Sequence, residues 1–260
     1  MSADQLLSDL AGAPLVVIGR IMPASNHTFL ARLGEEGREC VYKPSSGERP
    51  LWDFTDGTLA AREYAAWVVS DHLGWGVVPP TVLRDGPAGP GMVQLWMEPV
   101  AGVDPVDVVA QDAVPPGFLH VLDATGAEGE PVALVHEDST ALRRMAVFDI
   151  VTNNTDRKGG HVLPMAGGHR YGVDHGVCFH TEDKLRTVLW GWAGRPLSAA
   201  EVDGVRGVVD GLRGGLRGTL EDLLTVAEVD AVGRRAERLL RIGSFPVPAT
   251  GWPSIPWPPF

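Results

Sequence analysis

Residues 154–161 read Asn-Thr-Asp-Arg-Lys-Gly-Gly-His, and residues 171–176 read Tyr-Gly-Val-Asp-His-Gly. Between them, stretches 161–165 and 170–174 have strand character and flank Gly167-Gly168, a hairpin-turn pair. Upstream, residues 139–153 carry a helical pattern with Ser139 as N-cap. The order is therefore helix, polar loop with one acid, hairpin, second acid. Such a loop and hairpin deliver Asp156 and Asp174 to one mouth. Two converging carboxylates in different surroundings suit phosphoryl transfer. One orients an attacking hydroxyl and takes its proton; the other holds a divalent cation against phosphate oxygens, where negative charge must be neutralised.

Working outward, residues 15–22 and 27–33 read as strands joined by Pro23-Ala24-Ser25-Asn26, and 38–43 as a third strand ending at Pro44. From Thr58 to Leu73 the spacing of Leu59, Tyr64, Trp67, Val68 and Leu73 predicts a helix, which Gly74 stops. Strands follow at 77–83 and 91–98. Residues 99–137 read as loop-rich, with short helical pieces at 105–111 and 116–122. Helices are expected at 198–212, 218–225 and 227–241, the first opened by a Ser198–Glu201 capping box. The Pro-rich end, FPVPATGWPSIPWPPF, is expected to be extended. The sum is an α+β fold of two lobes: a small antiparallel-sheet N-lobe (1–98), a mainly helical C-lobe (99–245) and a Pro/Trp-rich tail (246–260).

Composition excludes several classes. The chain has 33 Asp and Glu against 22 Lys and Arg, a formal charge of −11, with no basic cluster, which argues against nucleic acid and against an anionic membrane surface. Cys40 and Cys178 are too few for a disulfide framework. No apolar run approaches membrane-spanning length and the N-terminus lacks a leader pattern, so a cytoplasmic protein is expected.

The Asn-Thr-Asp-Arg loop and the Val-Asp-His-Gly stretch resemble the catalytic loop and metal-binding motif of the protein-kinase-like superfamily. The similarity is to phosphatidylinositol 3- and 4-kinases, the type II 4-kinases especially, and to HipA-type kinases. The resemblance implies an atypical kinase-like fold using ATP and Mg2+, with Asp156 as base, Arg157 beside it and Asp174 as principal metal ligand. It implies that Lys43 reaches the α- and β-phosphates and pairs with Glu63. Ser25 and Asn26 fall in the phosphate-covering turn, which lacks repeated glycines. Trp96, Met97 and Glu98 fall at the hinge that meets adenine, with Val41, Met92 and Leu95 as apolar walls. His161 departs from the pattern, standing where the family has a metal-binding Asn; it implies a weakened second metal, a taste for Mn2+, or a phosphate donor only.

An alcohol acceptor follows from the same resemblance: an inositol-type headgroup, a small polyol or a protein Ser/Thr. The missing membrane features point to a soluble small molecule. Downstream of Asp174, Lys184 and Arg186 with Trp190 and Trp192 are candidates to hold it, against a plain reading as a strand with aromatic packing. Two other classes stay open. His161, His169, Asp174, His175 and His180 crowd together as in a metal-dependent hydrolase, and His161 is also consistent with a pseudokinase that binds nucleotide without turnover. The tail reads as a linker, a polyproline ligand or a strap; the apolar area of Trp252, Trp257 and Phe260 favours a strap.

Overall fold

The alternation in Glu-Cys-Val-Tyr-Lys-Pro sets the first sheet: in β3 (Glu39–Pro44) Cys40 and Tyr42 are buried, while Val41 and Lys43 face the other side. The computed structural model describes residues 3–260 except 23–25, 35–36, 50, 55–57 and 252. β3 lies at the centre of a five-stranded antiparallel sheet with β1 (Leu15–Arg20), β2 (Phe29–Leu33), β4 (Thr81–Gly86) and β5 (Gly89–Leu95), in the order β1-β2-β3-β5-β4. Register places Lys43 opposite Met92 and Val41 opposite Gln94. A slip of one residue would turn Lys43 into the core, so the buried Tyr42 and Cys40 fix where the lysine points.

A helix that the sequence reading did not anticipate, α1 (Ala3–Gly12), covers the buried face of this sheet with Leu6, Leu7 and Leu10. The Arg84 guanidinium donates to the carbonyls of Leu10 and Ala13 and so caps its C-terminal end. The next helix, α2 (Leu59–Leu73), keeps its expected bounds: the Thr58 side chain accepts from the Ala61 N–H, and Gly74 closes it with φ 66°.

The expectation for residues 99–137 fails. Instead of loops and short helices, β6 (Val106–Ala110), β7 (Phe118–Thr125) and β8 (Pro131–Glu137) form a second antiparallel sheet, ordered β6-β8-β7. The central β8 is buried through Ala133, Leu134, Val135 and His136. Short runs rich in Val, Leu and Phe, such as Phe118-Leu119 and Val132-Ala133-Leu134-Val135, are a strand signal that the flanking Gly and Pro obscured.

The remainder follows the expected order. α3 (Thr140–Thr152) is capped by Ser139 and ended by Asn153 at φ 55°. β9 (Val162–Pro164) and β10 (Arg170–Gly172) form the hairpin, turned by Gly167 and Gly168, both at positive φ. Then come α4 (Ala199–Gly211), α5 (Gly215–Glu221) and α6 (Val226–Ile242). The Ser198–Glu201 capping box is present, and α6 opens on a second one, Thr225–Glu228, which the sequence reading missed. Phe148, Met145, Trp192, Leu220 and Val232 form the larger core. The described residues of the tail form neither helix nor strand and lie on their own chain: the Ser254 carbonyl accepts from the Thr187 N–H and the Trp190 indole, and the Pro259 carbonyl accepts from the Gly159 N–H. Trp252 lies outside the described residues. No helix among them is long and apolar enough to cross a membrane.

Candidate active site

Lys43 ends β3 and extends from the half-buried face of the sheet. Its Nζ lies 2.6 Å from Glu63 Oε1 on α2 and 2.9 Å from Asp174 Oδ1 just after β10. Three elements distant in sequence therefore meet at one ammonium. They open onto a cleft of about 580 Å³. Val41, Lys43 and Gln94 line its sheet side, and Asp156, Lys158, Gly160, His161 and Asp174 line the side of the loop and hairpin. Asn26 also lines it and is held by the Arg49 N–H, which donates to its side-chain oxygen. Ser25 lies outside the described residues.

The charges are tightly coupled. Burial alone would lower the Lys43 ammonium, but the carboxylates of Asp174 and Glu63 more than reverse this and hold it above the ordinary lysine range. Lys43 in turn holds the Asp174 carboxyl well below the usual carboxylate range, so Asp174 is ionised at neutral pH. It sits at φ 63°, in the left-handed region that a non-glycine residue adopts only under constraint. Burial pushes the Asp156 carboxyl up, with Lys158 and Arg186 opposing it. Its backbone N–H donates to the Asn154 side chain, which fixes the loop at the acid. Burial lowers the His161 imidazole to about 4 despite Asp174, so it is neutral at pH 7.

His161 Nε2 stands 3.6 Å from Asp174 Oδ2, and His161 Nδ1 is buried with no protein partner among the described residues. The buried Nδ1 faces the protein, so the nitrogen that could join the ionised Asp174 carboxylate in holding a divalent cation is Nε2 of the neutral imidazole. No group of three or more His, Cys, Asp or Glu side chains able to hold a metal occurs among the described residues. The crowd of histidines disperses accordingly. His169 meets the Gly76 carbonyl and the Tyr171 ring, His180 lies near Lys184, and His175 is buried against Arg157.

Several expected positions change. Arg157 is fully buried and lines no part of the cleft, so it touches no substrate; it pairs through two bonds with Asp149 and donates to the carbonyls of His161 and Val173. It is a positioning residue that ties the loop to the hairpin. Trp192 has no exposed surface for stacking on a ligand: its ring packs on His136 and Phe245. Trp190 is committed to the tail through Ser254, and Lys184 is buried with Asp53 and Glu182 around it. Of those four candidates, Arg186 acts on Asp156, where its charge opposes the rise of the carboxyl. At the hinge, Trp96 and Met97 line the cleft, but the Trp96 N–H is already given to the Glu39 carbonyl, and the exposed Glu98 accepts from the Trp96 indole instead of lining the wall. Met92 is wholly buried behind the wall that Val41 and Leu95 form.

The sequence reading gave no role to Lys158 or Asp149. Lys158 Nζ is 3.8 Å from Asp156 Oδ2 on the cleft wall. The available signal was a cation two residues after the loop acid. Asp149 sits on α3 and looked like an ordinary helix residue.

None of the protein-family models matches the chain. Protein Rv2133c of Mycobacterium tuberculosis (strain ATCC 25618 / H37Rv) is 51% identical over 262 residues, covering 96% of this chain and 94% of that one. The crystal structure of the Golgi casein kinase superposes with a TM-score of 0.56 at 15% identity, covering 93% of this chain and 76% of that chain. A Helicobacter pylori proinflammatory kinase, CtkA, matches with a TM-score of 0.42 at 11% identity, over 88% of this chain and 98% of that one. The fold is thus protein-kinase-like, an antiparallel sheet region followed by a helical region. The narrower likeness to phosphatidylinositol and HipA-type kinases rests on the motifs alone.

Proposed function

We propose that this chain, which belongs to one family with Protein Rv2133c of Mycobacterium tuberculosis, is an ATP-dependent phosphotransferase acting on an alcohol, a soluble inositol-like or other polyol compound. Residues 1–98 and 99–245 are read as the two lobes of one such domain. The observation that carries the proposal is the Lys43 ammonium, which meets Glu63 and Asp174 within 2.9 Å in a cleft that Asp156 also lines.

In this reading Glu63 anchors Lys43, and phosphate oxygens compete with Asp174 for its ammonium. Lys158 faces the transferred group. Mg2+, or Mn2+, held by Asp174 with His161 nearby, would neutralise charge on the β- and γ-phosphates. The acceptor oxygen bonds to the γ-phosphorus as the bond from that phosphorus to the β–γ bridging oxygen breaks, and ADP leaves with its electron pair. The hydroxyl proton passes to Asp156, whose raised pKa makes it a better base than an exposed carboxylate. A second reading, nucleotide binding without turnover, is favoured by His161 in the place of a metal-binding Asn.

The test is transfer of γ-labelled phosphate from ATP to a panel of inositols, polyols, phosphatidylinositol vesicles and protein. Label on a small polyol is expected; label only on the lipid or only on protein defeats the acceptor assignment. Asp156→Asn should lose at least about a hundredfold in kcat while keeping thermal stabilisation by ATP with Mg2+. Lys43→Met should weaken that stabilisation. An Asp156→Asn enzyme turning over at the wild-type rate refutes the base.

A further inference from the structure

We propose that Arg186 holds an oxyanion group of the acceptor, so that the alcohol phosphorylated here carries a phosphate or carboxylate besides its reacting hydroxyl. The inference rests on the phosphotransferase reading and concerns the acceptor side of the same site.

The backbone puts Arg186 where an acceptor must lie. Segment 185–188 runs alongside the loop: the Arg186 N–H donates to the Asn154 carbonyl, the Arg157 N–H to the Arg186 carbonyl, and the Val188 N–H to the Arg157 carbonyl. Arg157 and Thr187 form a parallel bridge, and both side chains are buried. The bridge is isolated, but the residue before each bridged partner is less buried than the partner, as alternation of extended backbone predicts, which puts Asp156 and Arg186 on the face opposite the buried pair. That face bears the loop acid. Lys158 lines the cleft beside the acid, and Arg186 does not line it. An in-line transfer brings the acceptor to Asp156 from the side away from the leaving group, and in this proposal Arg186 meets it there.

The guanidinium is also unspent. Arg157, Arg170 and Arg235 pair with Asp149, Glu137 and Asp183, yet Arg186 forms no ion pair among the described residues. Its Nε is buried and has no protein acceptor. Other arginines, Arg84 and Arg144 among them, also lack a carboxylate among the described residues; what marks Arg186 is the buried N–H, because a buried donor without an acceptor is costly. Its field reaches Asp156, where it opposes the rise of that carboxyl, although no ion pair joins the two. The segment is pinned from behind as well, because the Thr187 N–H and the Trp190 indole both donate to Ser254 of the tail. A fixed fork of donors beside the base is suited to the two oxygens of a phosphate or carboxylate.

The test titrates inorganic phosphate, and separately acetate, into the full chain loaded with Mg2+ and a non-hydrolysable ATP analogue, followed by calorimetry. Saturable binding of one anion is expected in the wild type, at least tenfold weaker in Arg186→Gln and partly restored in Arg186→Lys, with affinity for the ATP analogue unchanged within twofold. Stronger binding of phosphate assigns a phosphorylated alcohol, and stronger binding of acetate a carboxylated one. Equal binding by wild type and Arg186→Gln, or no saturable binding of either anion by a wild type that does bind the analogue, overturns the proposal and leaves the phosphotransferase reading standing. If the analogue itself does not bind, the phosphotransferase reading fails, and this inference, which rests on it, falls too.

Discussion

Replacing Arg157 by Met removes a guanidinium that makes five polar contacts without touching solvent. Its Nε and Nη2 lie 2.9 Å and 2.8 Å from the Asp149 oxygens, Nη1 reaches the carbonyls of His161 and Val173 at 3.3 Å and 3.2 Å, and Nη2 is 2.6 Å from His175 Nε2. Both partners of the ion pair are fully buried. Met fills much of the same space but leaves the Asp149 carboxylate with the Asn154 amide as its remaining side-chain donor among the described residues. Breaking a buried pair from one side costs about 3–5 kcal/mol, a large share of a domain's total of roughly 5–15 kcal/mol. Removing both charges in Arg157→Met/Asp149→Leu should recover at least half of that loss, since an apolar pair has nothing left to desolvate. Urea unfolding followed by tryptophan fluorescence gives the stabilities. Binding of the ATP analogue gives a second readout: the lost carbonyl contacts flank Asp174, so affinity should fall in the double variant even where stability returns. A single variant that loses less than about 1 kcal/mol refutes the ion-pair argument, and unchanged analogue affinity in the double variant refutes the positioning role.

Deleting residues 246–260 should cost about 3 kcal/mol from three backbone-carbonyl hydrogen bonds and the buried Pro256, a fall of roughly 6–12 °C in Tm; an unchanged Tm by calorimetry refutes the strap. His136 accepts at Nε2 from the Gly191 N–H and meets the Glu137 carbonyl at Nδ1, so it is buried neutral, and burial lowers its pKa to about 4. A histidine depressed in the folded state binds its proton first in the unfolded chain. Stability is therefore intact above the unfolded value near 6.5 and falls by up to about 3 kcal/mol as pH drops to about 4. His136→Gln should flatten the plot of urea midpoint against pH, and a slope equal to wild type over that window would remove His136 as a cause.

What the sequence made legible was set by local order. Lys43, Glu63, Asp156 and Asp174 each occupy a fixed place in an element or motif, and their meeting follows once strand, helix, loop and hairpin are placed in sequence. Arg157 was legible as part of the motif but not as a buried strut, because its partner Asp149 lies on a helix whose pattern does not announce a buried acid. Trp190 and Trp192 looked like a stacking surface; only the tertiary contacts with His136, Phe245 and Ser254 show them as core and tail anchors. The sheet of β6–β8 was hidden for the opposite reason. Alternation is visible in Val106–Ala110 and a short apolar run in Pro131–Glu137, but Gly and Pro on either side weighed toward loop.

The charge of −11 and the proposed polyanionic substrate are compatible because of where the charges lie. At physiological salt the screening length is about 8 Å, so acids spread over the far surface act weakly on a ligand in the cleft. Inside it, Lys43 and Lys158 have side chains about one-fifth exposed, where screening is weaker and each contact counts for more. Lys43 holds Asp174 ionised at that point. An anion arriving at Lys43 and a cation arriving at Asp174 thus each relieve the other's cost. Neither alone balances the pair, so magnesium and nucleotide should enter this cleft together rather than separately.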